Sequence, residues 1–161
     1  MRNVIKQTFL TAAWAPLSVF MFYVSVSIGT NAFLLYPWFD MPAHFLGGFA
    51  ITYFFRAGIA NSQEVVGRIP ARIQILLAIA FASIAAVIWE CLEYISDLTL
   101  GTNWSWGLTD TLSDLFLGLI GAIVFVVIDT SRISTRPIDD ARSGSACLNN
   151  FPRFISGIRA G

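Results

Sequence analysis

Charge is scarce in this chain. Lys and Arg number 10, Asp and Glu 10 and His 1, in 161 residues. A charged share of 12% is about half that of an ordinary soluble domain. With 56% hydrophobic residues and a mean hydropathy of +0.69, the composition excludes a soluble globular domain. It indicates an integral membrane protein in one domain. Cysteine is nearly missing as well. Cys91 lies in a hydrophobic run and Cys147 in a polar tail, on opposite sides of the membrane in the topology below, which argues against an intramolecular disulfide. There is no nucleophile elbow, no phosphate-cradling glycine loop, no HExxH, no CxxC and no internal repeat. Nothing indicates an organic cofactor or a nucleic-acid partner.

What is present is a set of long apolar runs. Four can span a bilayer: roughly 9–28, 41–60, 73–95 and 111–128. Each is about 20 residues long, as a hydrocarbon core requires of a helix. Backbone satisfaction in lipid makes them helices rather than strands. The predicted fold is therefore all-α, a four-helix transmembrane bundle over 1–130 followed by a tail over 131–161.

The basic residues orient the bundle. Arg2 and Lys6 precede the first span. Arg56, Arg68 and Arg72 flank the loop between the second and third. Arg132, Arg136, Arg142, Arg153 and Arg159 follow the fourth. The loops 29–39 and 98–109 contain no Lys or Arg. The positive-inside rule puts both termini in the cytoplasm, N-in and C-in. The expected location is a bacterial cytoplasmic (inner) membrane. Tyr36, Trp38, Trp89, Tyr94, Trp104 and Trp106 gather at the outer ends, as an interfacial belt does. The first apolar run continues past Ala15, so it reads as a retained signal anchor rather than a cleaved peptide. The tail, rich in Arg, Ser, Asn and Gly, is expected to be a largely flexible cytoplasmic segment. The spacing of Leu148, Phe151, Phe154, Ile155 and Ile158 leaves a short interfacial helix as its alternative.

The acidic residues are placed unusually. Asp40 and His44, then Glu90, Glu93 and Asp97, then Asp110 and Asp114, recur at helical spacing on three apolar segments. No Lys or Arg lies among them. At 1.5 Å per residue, Asp40 lies roughly 24 Å from Arg56, Glu90 roughly 27 Å from Arg72 and Asp114 roughly 22 Å from Asp129. All three sets fall at the outer edge of a core about 30 Å thick, with His44, Glu90 and Asp114 deepest. Two like charges 4 Å apart repel by about 4 kcal/mol at an effective dielectric of 20. Such a cluster holds either several protons or a cation. Carboxylates suit Mg, Mn or Ca, and one imidazole extends the choice to Fe or Zn. The candidate metal ligands are Asp40, His44, Glu90, Glu93, Asp110 and Asp114, and the candidate catalytic groups His44, Glu90 and Asp114. Asp97 reads as a rim residue, and Asp110 has an alternative role as an N-terminal helix residue favoured by the dipole. Gly47, Gly48, Gly118, Gly121 and the alanines of the third span allow close helix packing, either within the bundle or in a homo-oligomer.

The order Asp40-x3-His44 followed by Gly, then Glu90-x2-Glu93, then Asp110-x3-Asp114-x3-Gly118, resembles the YjdF-like (DUF2238) family of uncharacterised bacterial inner-membrane proteins. The likeness covers roughly residues 35 to 125. More distantly it looks like the VanZ-like family, linked with teicoplanin resistance. Asp114 stands where that family usually has Asn, and Glu93 where Gln is common. The resemblance implies a membrane protein and no particular activity. Three functions compete. The first is a metal-binding protein, an enzyme of the hydrolase or transferase kind acting on a membrane lipid or lipid-linked phosphate at the outer leaflet. The second is a small ion- or proton-coupled transporter or channel subunit. The third is a non-catalytic interaction protein whose polar groups clamp the helix ends.

Overall fold

The computed structural model describes residues 2–30, 36, 38 and 40–134. Among them the structure is all-helical, with α1 (Arg2–Ala12), α2 (Trp14–Gly29), α3 (Asp40–Val66), α4 (Ala71–Leu100) and α5 (Leu108–Ser134). The tail expected over 131–161 lies, from residue 135 on, outside the described residues.

The first apolar run is not the single straight helix that its hydropathy predicts. It is divided into α1 and α2, bent by 54° at Ala13. Pro16 accounts for the break. It has no N–H to give the Ala12 carbonyl, and its ring crowds that carbonyl.

α4 and the Leu108–Thr130 part of α5 are long and apolar enough to cross a membrane, and the bent α1–α2 pair is a third span if it counts as one. Both long helices expose apolar side chains along their outer faces. Leu76, Ile84, Val87 and Leu92 do so on α4, and Leu112, Phe116, Ile123 and Val127 on α5. In water this surface would be a liability, whereas in lipid it is the solvent-facing side. α3 covers the expected second span, 41–60, but is not apolar enough to join them. Its position explains this. α3 packs against each of the other four helices, so Asp40, Thr52 and Arg56 are buried against protein. Thr52 is satisfied by donating to the Gly48 carbonyl at 2.6 Å.

α3 and α5 approach most closely at glycines. A Cβ on Gly48 would run into the Gly118 carbonyl oxygen, and one on Gly121 into that of Phe45. These small residues are therefore committed to packing within the chain. Next to them Ala12, Ala15, Ala50, Tyr53, Ala57 and Phe125 form an apolar core.

Arg56, read from sequence as the cytoplasmic flank of the second span, is instead a buried anchor. Its Nε donates to Asp129 Oδ2 at 3.1 Å, and its Nη1 to Gln74 Oε1 at 2.6 Å. Gln74 Nε2 in turn donates to the Ile69 carbonyl at 2.6 Å and to Gln63 Oε1 at 3.2 Å. This network ties α3, α4 and α5 together at the end of the bundle remote from Asp40, Glu90 and Asp114.

Candidate functional site

Asp40 opens α3, and His44 follows one turn later on the same face. α4 carries Glu90 and Glu93 on its buried side. α5 brings Asp114, and Gly118 one turn beyond allows α5 to lie against α3. The close approach of the two backbones sets Asp114 beside His44.

The imidazole is the centre of the cluster. His44 Nε2 lies 3.3 Å from Asp40 Oδ2 and 3.9 Å from Asp114 Oδ2, and Nδ1 lies 3.5 Å from Glu90 Oε1. Ligand atoms of Asp40, His44 and Asp114 fall within 4.8 Å of one another, and so do those of His44, Glu90 and Glu93. The burial is deep. Glu93 and Asp114 are each 2% exposed, and Asp40 6%.

Glu93 is the satisfied member. Its Oε1 accepts from the Tyr23 hydroxyl at 2.7 Å and from Trp89 Nε1 at 2.8 Å. Tyr23 and Trp89 also pack edge to face at 5.4 Å. Trp89, expected in the interfacial belt, is thus turned into the bundle. Neither it nor Tyr23 was read from sequence as part of the site. A Trp four residues before an acid is a visible helical pair, but the Tyr23 partner depends on the rotation of α2, which spacing does not give.

Asp40 Oδ1, His44 Nε2 and Asp114 Oδ2 are buried without a hydrogen-bond partner. The Asp40–His44 approach is close in distance yet poorly aligned, so it does not satisfy Nε2. Buried polar atoms are paired in the great majority of proteins, and three orphans in one place call for an explanation. They fit a divalent cation: two carboxylate oxygens and an imidazole nitrogen converge from three helix positions. Both ring nitrogens face carboxylates, Nδ1 that of Glu90 and Nε2 those of Asp40 and Asp114; a cation held at Nε2 would require the proton on Nδ1, toward Glu90.

The two remaining acids lie at the edge. Asp97 organises the α4–α5 loop, accepting from the Thr102 hydroxyl at 2.6 Å and from the amides of Trp104 and Ser105 at 2.9 Å each. Gly101, at φ +67°, ends α4 in the left-handed conformation that this turn needs. Asp110 accepts from the Trp106 amide at 2.9 Å at the start of α5. It belongs to neither group of converging ligand atoms.

A cleft of about 270 Å³ runs inward from the cluster between α2, α3, α4 and α5, with His44 and Asp114 in its wall.

Apolar outer faces around a buried acidic and histidine cluster define the chain as a helical membrane protein with a polar centre. The family comparison makes this specific. Residues 4–135 match the model described as "Predicted membrane protein (DUF2238)", and the chain belongs to that family. The match extends well beyond the 35–125 stretch that carries the motif. An uncharacterized protein of Thermotoga maritima (strain ATCC 43589 / DSM 3109 / JCM 10099 / NBRC 100826 / MSB8) is 32% identical over 103 residues, covering 61% of this chain and 53% of the relative. The chain thus spans about half the length of that relative. No solved structure matches. The more distant VanZ-like resemblance is not carried by these matches.

Proposed function

We propose that this chain is a multi-pass protein of the bacterial cytoplasmic membrane, a four-helix bundle with both termini inside. Its outward-facing site binds a divalent cation and acts on the phosphate of a lipid or lipid-linked substrate. The observation that carries the reading is that ligand atoms of Asp40, His44 and Asp114 gather within 4.8 Å of one another, and that each of these residues also has a buried polar atom without a hydrogen-bond partner. The distribution of basic residues supports the orientation, because the loops 29–39 and 98–109 lack Lys and Arg.

The division of labour follows from the contacts. Asp40, His44 and Asp114 hold the cation, with Glu90 orienting the imidazole through Nδ1. Glu93, fixed by Tyr23 and Trp89, adds rigidity without being free to move. A divalent ion would supply polarisation of a phosphoryl oxygen and easier ionisation of a water. Glu90, which is not assigned to the cation, would then carry the proton.

Thermal unfolding in detergent tests this. Added Mg, Mn, Ca or Zn should raise the midpoint of the parent protein. His44→Ala and Asp114→Ala variants, folded but unresponsive, are the expected comparison. A parent protein that responds to none of the four ions would contradict the proposal.

One observation favours a second reading. Glu93 is the best satisfied acid of the buried cluster, and its bond from Tyr23 joins α2 to α4. A polar clamp without chemistry would use such a network. In that case alanine at His44, Glu90 or Asp114 would cost the fold itself, and no ion would restore it.

A further inference from the structure

The cleft beside the cluster is polar at one end only. Its outer end carries His44 and Asp114, together with Tyr23 and Trp89, whose OH and N–H donate to Glu93. Its inner end is formed by Pro16, Val19 and Ile51. α2 and α4 meet through aromatic rings at the outer end, where Phe20 and Tyr23 each stand edge-on to Trp89, at 5.9 and 5.4 Å. Inward of Trp89, α4 offers only Ala85 and Ala86 to the cleft.

Gly47 supplies an independent observation. Glycine weakens a helix interior, and it is usually explained by a close approach or a left-handed backbone. Gly48 has such a reason, since a Cβ there would strike the Gly118 carbonyl. Gly47 has none. It lies in the middle of α3 without a positive φ, and a Cβ there would meet nothing within 4 Å. What it faces is the cleft. The absent side chain keeps that space open.

We infer that the cleft holds one hydrocarbon chain of a membrane lipid, with the polar end of that lipid at His44 and Asp114. An apolar space at membrane depth fills with hydrocarbon rather than water. At about 270 Å³ it lies at the small end of ligand pockets, which suits one chain and not two. The orphaned Asp114 Oδ2 and His44 Nε2 at its mouth are where a headgroup and its cation would sit. This deepens the proposed function and rests on it only for the headgroup. The chain site stands on the cleft and on Gly47.

The experiment uses the full chain in lipid vesicles carrying one of two photoactivatable probes, with adducts mapped by mass spectrometry. Both probes have one fatty acyl chain with a diazirine near its end. One is a lysophosphatidic acid, the other a monoacylglycerol without phosphate. Adducts are expected on residues lining the inner part of the cleft. Gly47→Leu fills the space from α3, and Ala85→Leu fills it from α4, should the first variant fail to fold. Each should reduce cleft adducts about tenfold, the equivalent of excluding two buried methylenes. Adducts spread evenly over lipid-facing positions such as Leu92 and Phe116, or cleft adducts unchanged in both folded variants, would overturn the chain site. Equal, substitution-sensitive labelling by both probes would uphold the chain site while contradicting the phosphate reading.

Discussion

Asp114 Oδ2 lies 3.9 Å from His44 Nε2, and neither atom has a hydrogen-bond partner although both are buried. Without a cation the pair is too far apart to bond and too enclosed for bulk water. An amide at position 114 changes this, because it carries no charge and, after a small side-chain rotation that closes the 3.9 Å gap, can donate to Nε2. Asp114→Asn should therefore stabilise the metal-free protein by about 1 kcal/mol, the net worth of a new buried bond. The same change should weaken divalent binding at least about tenfold. Unfolding in detergent, with chelator and then with Mn, measures both effects on one sample.

The Glu93 network makes a different prediction. Tyr23→Phe and Trp89→Phe each remove one donor from a carboxylate that is 2% exposed. Each should cost about 1–3 kcal/mol of stability. The double variant should depart from additivity, since both donors share one oxygen. Glu93→Gln should be milder than either, because an amide oxygen still accepts from both. Unfolding midpoints of the four variants decide it.

At the other end of the bundle, Arg56 and Asp129 are joined at 3.1 Å with side chains 8% and 10% exposed. Asp129→Ala leaves a buried guanidinium short of its partner and should destabilise by about 3–5 kcal/mol. Arg56→Met with Asp129→Leu removes both charges and should recover most of that loss. Divalent binding should be unchanged in the double variant. A loss of binding there would show that the two ends are coupled.

Neighbouring glycines on α3 should behave oppositely. Gly48→Ala drives a Cβ into the Gly118 backbone and must force α3 and α5 apart, so a marked loss of stability is expected. Gly47→Ala meets open space and should stabilise by up to about 1 kcal/mol through helix propensity. Parallel melts of the two variants check the contrast.

The apolar runs and the helical spacing of Asp40, His44, Glu90, Glu93 and Asp114 were legible from sequence, because periodicity and hydropathy are properties of a single segment. The break at Ala13 was partly legible. Pro16 signals it, but the continuous hydropathy from residue 9 conceals it. Arg56 could not be read correctly from its position alone. A basic residue near the end of an apolar run looks like a membrane flank, and its partner Asp129 lies 73 residues away in sequence. Asp97 and Asp110 share the periodicity of the deeper acids, yet they bond to loop amides. Periodicity assigns a face and not a neighbour. The pairing of Tyr23 with Glu93, and the contrast between Gly47 and Gly48, depend on helix rotation and approach, which only the packed bundle fixes.

The central claim is that Asp40, His44 and Asp114 converge in order to hold a cation. The direct measurement is elemental analysis of the protein purified without chelators, beside His44→Ala and Asp114→Ala variants shown to be folded. A divalent metal in stoichiometric amount in the parent, and lost from both variants, is the predicted result. A parent protein free of divalent metal, or a metal content that ignores both substitutions, would contradict it.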